Sequence, residues 1–264
     1  MKSILFTDLD GTFLNHHDYR FDASHEALAR IKELQIPLIF TTSKTKAEVE
    51  RLQQQVGICE PFIVENGAAL FIPQGYQNFL LSELQSYEDK KVLIFGETYD
   101  KILEFYRLYR DEFGMRGFSD MSESEVGEYT GLSATDALLS KQREFTEPFI
   151  LSDESKIDEL QRLAQCYELK ITKGGRFYHL MGETQDKGIA VMDTVALFEK
   201  LYGQKVRSIA LGDSDNDLPM LEGVDVPILI QKPNGSYLET NLPKIQKSSY
   251  PGCQGWNEMV LKNV

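Results

Sequence analysis

The sequence predicts an α/β fold: a parallel sheet with helices on both faces, interrupted by an inserted α+β domain. Three observations carry this reading. Short apolar runs alternate with amphipathic helical stretches over residues 3–64 and again from residue 186. Between them, residues 86–183 hold strands and helices of their own. Two of the apolar runs end in acidic motifs, and the C-terminal ends of strands are where open α/β sheets place ligands.

Residues 3–9 are an apolar run ending in acids. Residues 21–34 set Ala27, Ile31 and Leu34 at helical spacing. An apolar run at 36–40, an amphipathic stretch at 46–56 and a strand candidate at 62–64 complete a βαβαβ pattern. The inserted region begins with a strand at 92–95, a helix at 99–113, a polar stretch at 114–131 and a helix at 133–145. A strand at 148–151 and a helix at 154–167 follow. Two extended runs, 169–172 and 176–181, flank Gly174-Gly175, a hairpin signal. The parallel pattern then resumes with a helix over 186–202, a strand at 206–211, a helical turn at 218–221 and a strand at 226–230. Thr184 or Asp186, and Asp153 earlier, mark helix starts. The reading is a core in two pieces, 1–85 and 184–264, with 86–183 inserted. The tail, 248–264, carries Trp256 and is expected to pack on the core.

At 264 residues, 42% hydrophobic and 26% charged, the chain is long enough to bury a core without staples. Disordered, collagen-like and low-complexity classes are excluded. No apolar run approaches the roughly 18 residues of a membrane span. The opening MKSILFTDLDGT lacks the apolar stretch of a secretory signal. Cys59, Cys166 and Cys253 are widely spaced with no CxxC, which fits a cytoplasmic protein and neither a disulfide frame nor a thiolate zinc site. A net charge of −13, from 41 acids against 28 bases, argues against nucleic acid as a partner. It leaves an anionic small substrate open, because distant charge is screened within roughly 8 Å.

The densest chemistry is Asp8-Leu9-Asp10-Gly11-Thr12, at the end of the first strand. Gly212-Asp213-Ser214-Asp215-Asn216-Asp217 ends another. Acids at two strand ends crowd like charge, which is costly unless a cation neutralises it. Oxygen donors select a hard cation, and few protein ligands with room for water favour Mg²⁺. Lys187 opens the helix before the second acidic strand and adds a positive charge. Thr42-Ser43-Lys44 follows the second strand with hydroxyls, a turn and an ammonium, all phosphate-binding groups. Together the four segments indicate phosphate plus Mg²⁺.

Weaker candidates lie nearby in the pattern. Glu65-Asn66-Gly67 follows the third strand, as a turn or as a substrate contact. Residues 173–179 surround a Gly pair with Lys173, Arg176 and His179, as a solvated hairpin or as an anion clamp. Arg176 and His179 are three apart, so a straight strand would turn them to opposite faces.

This set resembles the haloacid dehalogenase-like phosphatases: DLDGT at 8–12, TTSKT at 41–45, Lys187 in QDKG and GDSDND at 212–217, in the family's order. The resemblance implies a Rossmann-like core and, from the insert, a mobile C2-type cap as in the Cof-type branch. It implies Asp8 as the nucleophile forming an aspartyl-phosphate, and Asp10 as acid and then base. Mg²⁺ would be held by Asp8, the backbone carbonyl of Asp10 and Asp213, with Asp217 in support. Thr42 (or Ser43) and Lys187 would hold phosphoryl oxygens, and Asn216 would orient the nucleophile. Further segments are similar to the mannosyl-3-phosphoglycerate phosphatases: VENGA at 64–68, GFSDMS at 117–122, EYTGLS at 128–133 and GGRFYHL at 174–180. That resemblance implies hydrolysis of mannosyl-3-phosphoglycerate, or its glucosyl counterpart, to a glycosylglycerate, a compatible solute. The partner is thus a small phosphorylated sugar acid chosen by the cap. Arg176 would meet the glycerate carboxylate and Lys44 would assist the phosphate side. Glu65, Asn66 and His179 are the remaining substrate candidates. The rival readings are a broad sugar-phosphate phosphatase, a sugar-phosphate mutase and a non-catalytic sensor.

Overall fold

A computed structural model describes residues 1–174 and 176–264. Gly175, half of the expected hairpin turn, lies outside the described residues.

The chain opens with β1 (Lys2–Thr7), α1 (His25–Leu34), β2 (Leu38–Thr41) and α2 (Lys46–Val56). It continues through β3 (Phe62–Val64), β4 (Ala69–Pro73), β5 (Gln85–Tyr87) and β6 (Lys90–Ile94). Next come α3 (Tyr99–Phe113), β7 (Met115–Gly117), α4 (Glu123–Thr130), α5 (Ala134–Ser140), β8 (Glu147–Leu151), α6 (Ile157–Cys166), β9 (Leu169–Gly174) and β10 (Phe177–Gly182). The chain closes with α7 (Lys187–Tyr202), β11 (Val206–Gly212), α8 (Leu218–Glu222), β12 (Val226–Gln231), β13 (Gln246–Pro251) and α9 (Gly252–Asn263). Among the described residues no helix is long and apolar enough to cross a membrane.

Two compact units result: Met1–Thr42 with Cys59–Leu93 and Asp186–Val264, and Ser43–Ile58 with Ile94–Gln185. The first unit is built on a sheet ordered β13-β12-β11-β1-β2-β3-β4-β6-β5. Strands β13 through β3 run parallel, and β4 turns back antiparallel on β3. The central strands are buried on both faces, which is why Ile4–Phe6, Leu38–Phe40 and Ile209–Leu211 read as continuous apolar runs rather than alternating ones. From β1 the chain winds one way to β2 and β3; after the insert, β11 returns to the other side of β1 and leads on to β12 and β13. Beside β1 the strand order reverses, and the crevice at such a switch point is the usual ligand site.

The second unit has an antiparallel sheet, β7-β8-β10-β9. Ile102, Phe105 and Tyr106 of α3 and Leu160 of α6 pack with Phe149, Ile171, Tyr178 and Leu180 of this sheet. A second cluster joins Phe118, Met121, Val126, Ala137 and Phe177. Helix α2 belongs to this unit; Thr45 and Glu48 form a capping box at its start, with Thr45 Oγ1 accepting from the Glu48 amide at 3.2 Å.

Several elements differ from the sequence reading. The strand expected at 92–95 forms as β6, but it pairs in the first unit's sheet, because the β5–β6 hairpin extends that sheet past β4. The polar stretch at 114–131 contains α4, set by a Ser122–Glu125 capping box and ended by Gly131 at φ +81°. That helix buries only Val126, so it shows no apolar stripe. The helix expected over 133–145 stops at Ser140, whose carbonyl accepts from the Arg143 guanidinium at 3.0 Å. Strands β4 and β13 and helix α9 have no counterpart among the expected elements.

Candidate active site

The first unit gathers its polar residues at the ends of four adjacent strands. Asp8 follows β1, Thr42 follows β2, Glu65 follows β3 and Asp213 follows β11. Lys187 is the first residue of α7, whose N-cap, Asp186, accepts from the Ile189 amide at 2.8 Å.

Asp8, Asp213, Asp217 and Lys187 are all buried. Lys187 Nζ donates to Asp8 Oδ1 at 2.6 Å and to Asp217 Oδ1 at 2.7 Å. The other oxygen of Asp217 accepts from the Asp213 amide, the Ser214 amide and the Ser214 hydroxyl, each at 3.0 Å. Both Asp217 oxygens are therefore engaged by the chain itself. Asp213 Oδ1 accepts from Thr12 Oγ1 at 3.1 Å. Carboxylate oxygens of Asp8, Asp213 and Asp217 lie within 4.8 Å of one another.

The local backbone explains how these groups come so close. Gly11 has φ +85°, and a Cβ there would sit 2.7 Å from Asp213 Oδ2. At Gly212 a Cβ would stand 2.5 Å from the Asp217 side chain. Glycine at 11 lets the two acidic loops approach each other, and glycine at 212 lets the second loop fold Asp217 back on its own start.

Three buried carboxylates share one ammonium, so the charges do not balance. Burial pushes the Asp8 carboxyl well above the usual range, and Asp217 adds to this against the pull of Lys187. Burial and then Asp217 raise Asp213 to about 7. Burial acts to lower the Lys187 ammonium, but Asp217 and Asp8 more than offset it and hold the lysine charged. A hard cation fits this set: the donors are oxygens, the excess charge is negative, and Gly11 leaves space beside Asp213.

The rim of the site comes from a strained turn. Glu65, Asn66 and Gly67 have φ of +47°, +60° and +89° in succession. The Asn66 amide donates to the Thr42 carbonyl at 2.8 Å, and Asn216 Nδ2 donates to Asn66 Oδ1 at 3.0 Å. Ser214 Oγ, whose one proton is shared with Asp217, lies 2.6 Å from Asn216 Oδ1. Glu65, Asn66 and Thr42 are buried, and Asp10 is half-buried. In one unit the structure thus brings together Asp8, Lys187, Asp213 and Asp217, and links Thr42, Asn66 and Asn216. Thr12 and Ser214 complete the carboxylate shell. Their signal was in the sequence, since each stands inside an acidic motif, but it is also the signal of a turn residue.

The other candidates belong to the second unit. Ser43 and Lys44 are half-buried; the Ser43 carbonyl accepts from Arg143 at 2.8 Å, and Lys44 Nζ lies 3.7 Å from Glu48 Oε1. Arg176 is exposed, and its Nη1 donates to the Tyr129 carbonyl at 2.8 Å. His179 is buried in β10 opposite Thr172 and Pro148.

Comparison with known proteins agrees with this architecture. Residues 5–236 match the family model of haloacid dehalogenase-like hydrolases. A Persephonella marina protein named glucosyl-3-phosphoglycerate/mannosyl-3-phosphoglycerate phosphatase is 50% identical over 260 residues, 98% of this chain and 96% of that one. A Methanococcoides burtonii protein of the same name is 41% identical over 265 residues, 99% and 97% of the two chains. Among solved structures, the sucrose-phosphatase of Synechocystis superposes with a TM-score of 0.64 at 14% identity, covering 99% of this chain and 98% of the other. A Thermoplasma acidophilum protein superposes at 0.69 with 18% identity, covering 99% and 98%. At such identities these two likenesses concern the fold alone. A family match over most of the chain and relatives at 50% and 41% identity along nearly its whole length have one consequence: this protein belongs to the haloacid dehalogenase-like hydrolases.

Proposed function

We propose that this chain is a Mg²⁺-dependent phosphatase that hydrolyses glucosyl- or mannosyl-3-phosphoglycerate through an aspartyl-phosphate on Asp8. The observation that carries the reading is the buried Asp8 carboxylate held by Lys187 beside Asp213 and Asp217. The shared name of relatives at 50% and 41% identity supports the substrate.

The residues divide the work as follows. Lys187 holds one oxygen of Asp8 and opposes the effect of burial, which favours the protonated carboxyl; once Asp8 is ionised, its other oxygen attacks phosphorus. The P–O bond to the leaving glyceryl oxygen breaks as the Asp8–phosphorus bond forms. Asp10 gives its proton to that oxygen, then takes one from a water that attacks the aspartyl-phosphate. Phosphate leaves and Asp8 returns as a carboxylate. Asp8, Asp213 and the Asp10 carbonyl would hold the cation. Bound there, Mg²⁺ neutralises the crowded carboxylates and supplies charge to match that on the transferring phosphoryl group. Asp217, with both oxygens engaged, acts by orienting Lys187 and the 213–214 backbone. Thr42 and the Lys187 ammonium stabilise the phosphoryl oxygens as charge moves.

Catalysis in this reading belongs to 1–85 and 184–264, with Lys44 assisting the phosphate side, and substrate choice to 86–183, with Arg176 and His179 as its polar contacts. Cys59, Cys166 and Cys253 are all thiols, which suits a cytoplasmic enzyme.

The test is phosphate release, with Mg²⁺, from mannosyl-3-phosphoglycerate, glucosyl-3-phosphoglycerate, mannose 6-phosphate, sucrose 6-phosphate and 3-phosphoglycerate. Preference for either glycosyl-phosphoglycerate is expected. Slow, even rates on all five would overturn the substrate and leave a broad sugar-phosphate phosphatase. Asp8→Asn should abolish turnover with the fold intact; turnover in that variant would remove Asp8 as nucleophile.

A further inference from the structure

Trp256 is the chain's one tryptophan, and the chemistry above gives it no part. It is fully buried, in the C-terminal helix α9. Its Nε1 donates to Thr7 Oγ1 at 2.9 Å, across 249 residues of sequence. Thr7 Oγ1 donates in turn to the backbone carbonyl of Asp8 at 2.7 Å. The direction of this chain is not arbitrary. An indole N–H can only donate, so the Thr7 oxygen must accept from it. The single hydroxyl proton is then directed to the Asp8 carbonyl.

A second contact reaches the same atom. The Phe13 amide donates to the Asp8 carbonyl at 3.3 Å, and the Phe13 ring meets Trp256 edge-on with centroids 5.0 Å apart. The Asp8 amide is fixed as well, donating to the Leu211 carbonyl at 2.9 Å. All of these groups are buried within the first unit.

From this geometry we infer that Trp256 and Thr7 are positioning residues for the Asp8 nucleophile. They fix the peptide plane after Asp8, and with it the direction in which the carboxylate leaves the backbone. Misplacing a nucleophile by a fraction of an ångström costs rate more than binding, because orientation matters most in the transition state. This inference rests on the proposed role of Asp8.

The experiment combines four variants with two readouts. Trp256→Phe keeps the ring and removes the donor; Thr7→Val keeps the shape and removes the hydroxyl; Thr7→Ser keeps the hydroxyl. In kinetics, the first two are expected to lower kcat about fivefold to twentyfold, with KM within about twofold of wild type. Thr7→Ser should restore kcat to within about twofold of wild type. Because the relay runs in series, the double variant Trp256→Phe/Thr7→Val should lose no more than Thr7→Val alone. The second readout needs no turnover. The Trp256 indole proton should exchange slowly with deuterium in wild type and Thr7→Ser, and faster in Thr7→Val. Folded Trp256→Phe and Thr7→Val proteins with wild-type kcat would overturn the inference, as would multiplicative losses in the double variant or unchanged indole exchange. If Asp8→Asn keeps its turnover, the reading of Asp8 fails instead, while the exchange result still judges the relay.

Discussion

At the residue scale, the site is an unbalanced set of charges: the buried carboxyls of Asp8, Asp213 and Asp217 around one buried lysine. Such a set is stable only when a proton or a cation joins it. Burial raises Asp213 to about 7, well above its ordinary range near 4, so protonation favours the folded state. The sign follows from that. Without metal, this stabilisation is full below the ordinary pKa and is lost as pH rises through about 7. Mg²⁺ competes with the same proton. Its affinity should therefore rise as pH rises through about 7 and protons leave Asp213 and Asp8. Calorimetric titration at several pH values checks this. The gain in Tm on adding Mg²⁺ should also be larger at alkaline than at mildly acid pH; equal gains would show that the carboxylates are ionised throughout.

At the scale of the element, glycine conformations hold the site loops together, but not every left-handed glycine carries the same consequence. Gly67 closes the left-handed run after β3, and a Cβ there would lie 2.1 Å from the Asp186 carbonyl and 2.8 Å from the Lys187 amide. The start of α7 packs directly on that turn. Gly57, at the end of α2, has a similar φ of +75° with nothing within 4 Å. Gly57→Ala should cost about 1 kcal/mol, from conformation alone. Gly67→Ala adds a backbone clash and should cost more than about 3 kcal/mol, or displace Lys187 and abolish turnover. Denaturant unfolding of both variants, with kinetics of Gly67→Ala, separates strain from collision.

At the scale of the whole molecule, the two units differ in how their residues are held. In the first, Asp8 and Lys187 are buried and bonded to each other, and buried Asn66 accepts from Asn216. In the second, Arg176 is exposed and gives one of its five donors to the Tyr129 carbonyl. A guanidinium of that kind suits recognition of a carboxylate. Arg176→Ala should raise KM for carboxylate-bearing substrates about 10-fold to 150-fold, the range of a lost charged hydrogen bond, and leave an aryl phosphate unchanged. Equal losses on both would place the residue in the structure of α4 and the hairpin instead. The same contrast explains what was legible. The buried strands of the first sheet announced themselves as apolar runs, and their ends carried compact motifs. Helix α4 was hidden because it buries one side chain, and β13 because its exposed residues, Lys247, Ser249 and Tyr250, break no recognisable pattern.

The amino-acid sequence by itself determined the parallel α/β pattern, the interrupting α+β insert and the candidates Asp8, Asp10, Thr42, Lys187, Asp213 and Asp217. These are local properties: periodicity sets the element, and loop residues at a strand end are fixed in place by the strand they follow. Only the tertiary structure decided that β6 joins the first sheet, that both oxygens of Asp217 are already engaged, and that Trp256 reaches the Asp8 carbonyl through Thr7. Each of those is a pairing between segments distant in sequence. No local pattern encodes such a pairing, because the free energy that selects it comes from burying both partners at once.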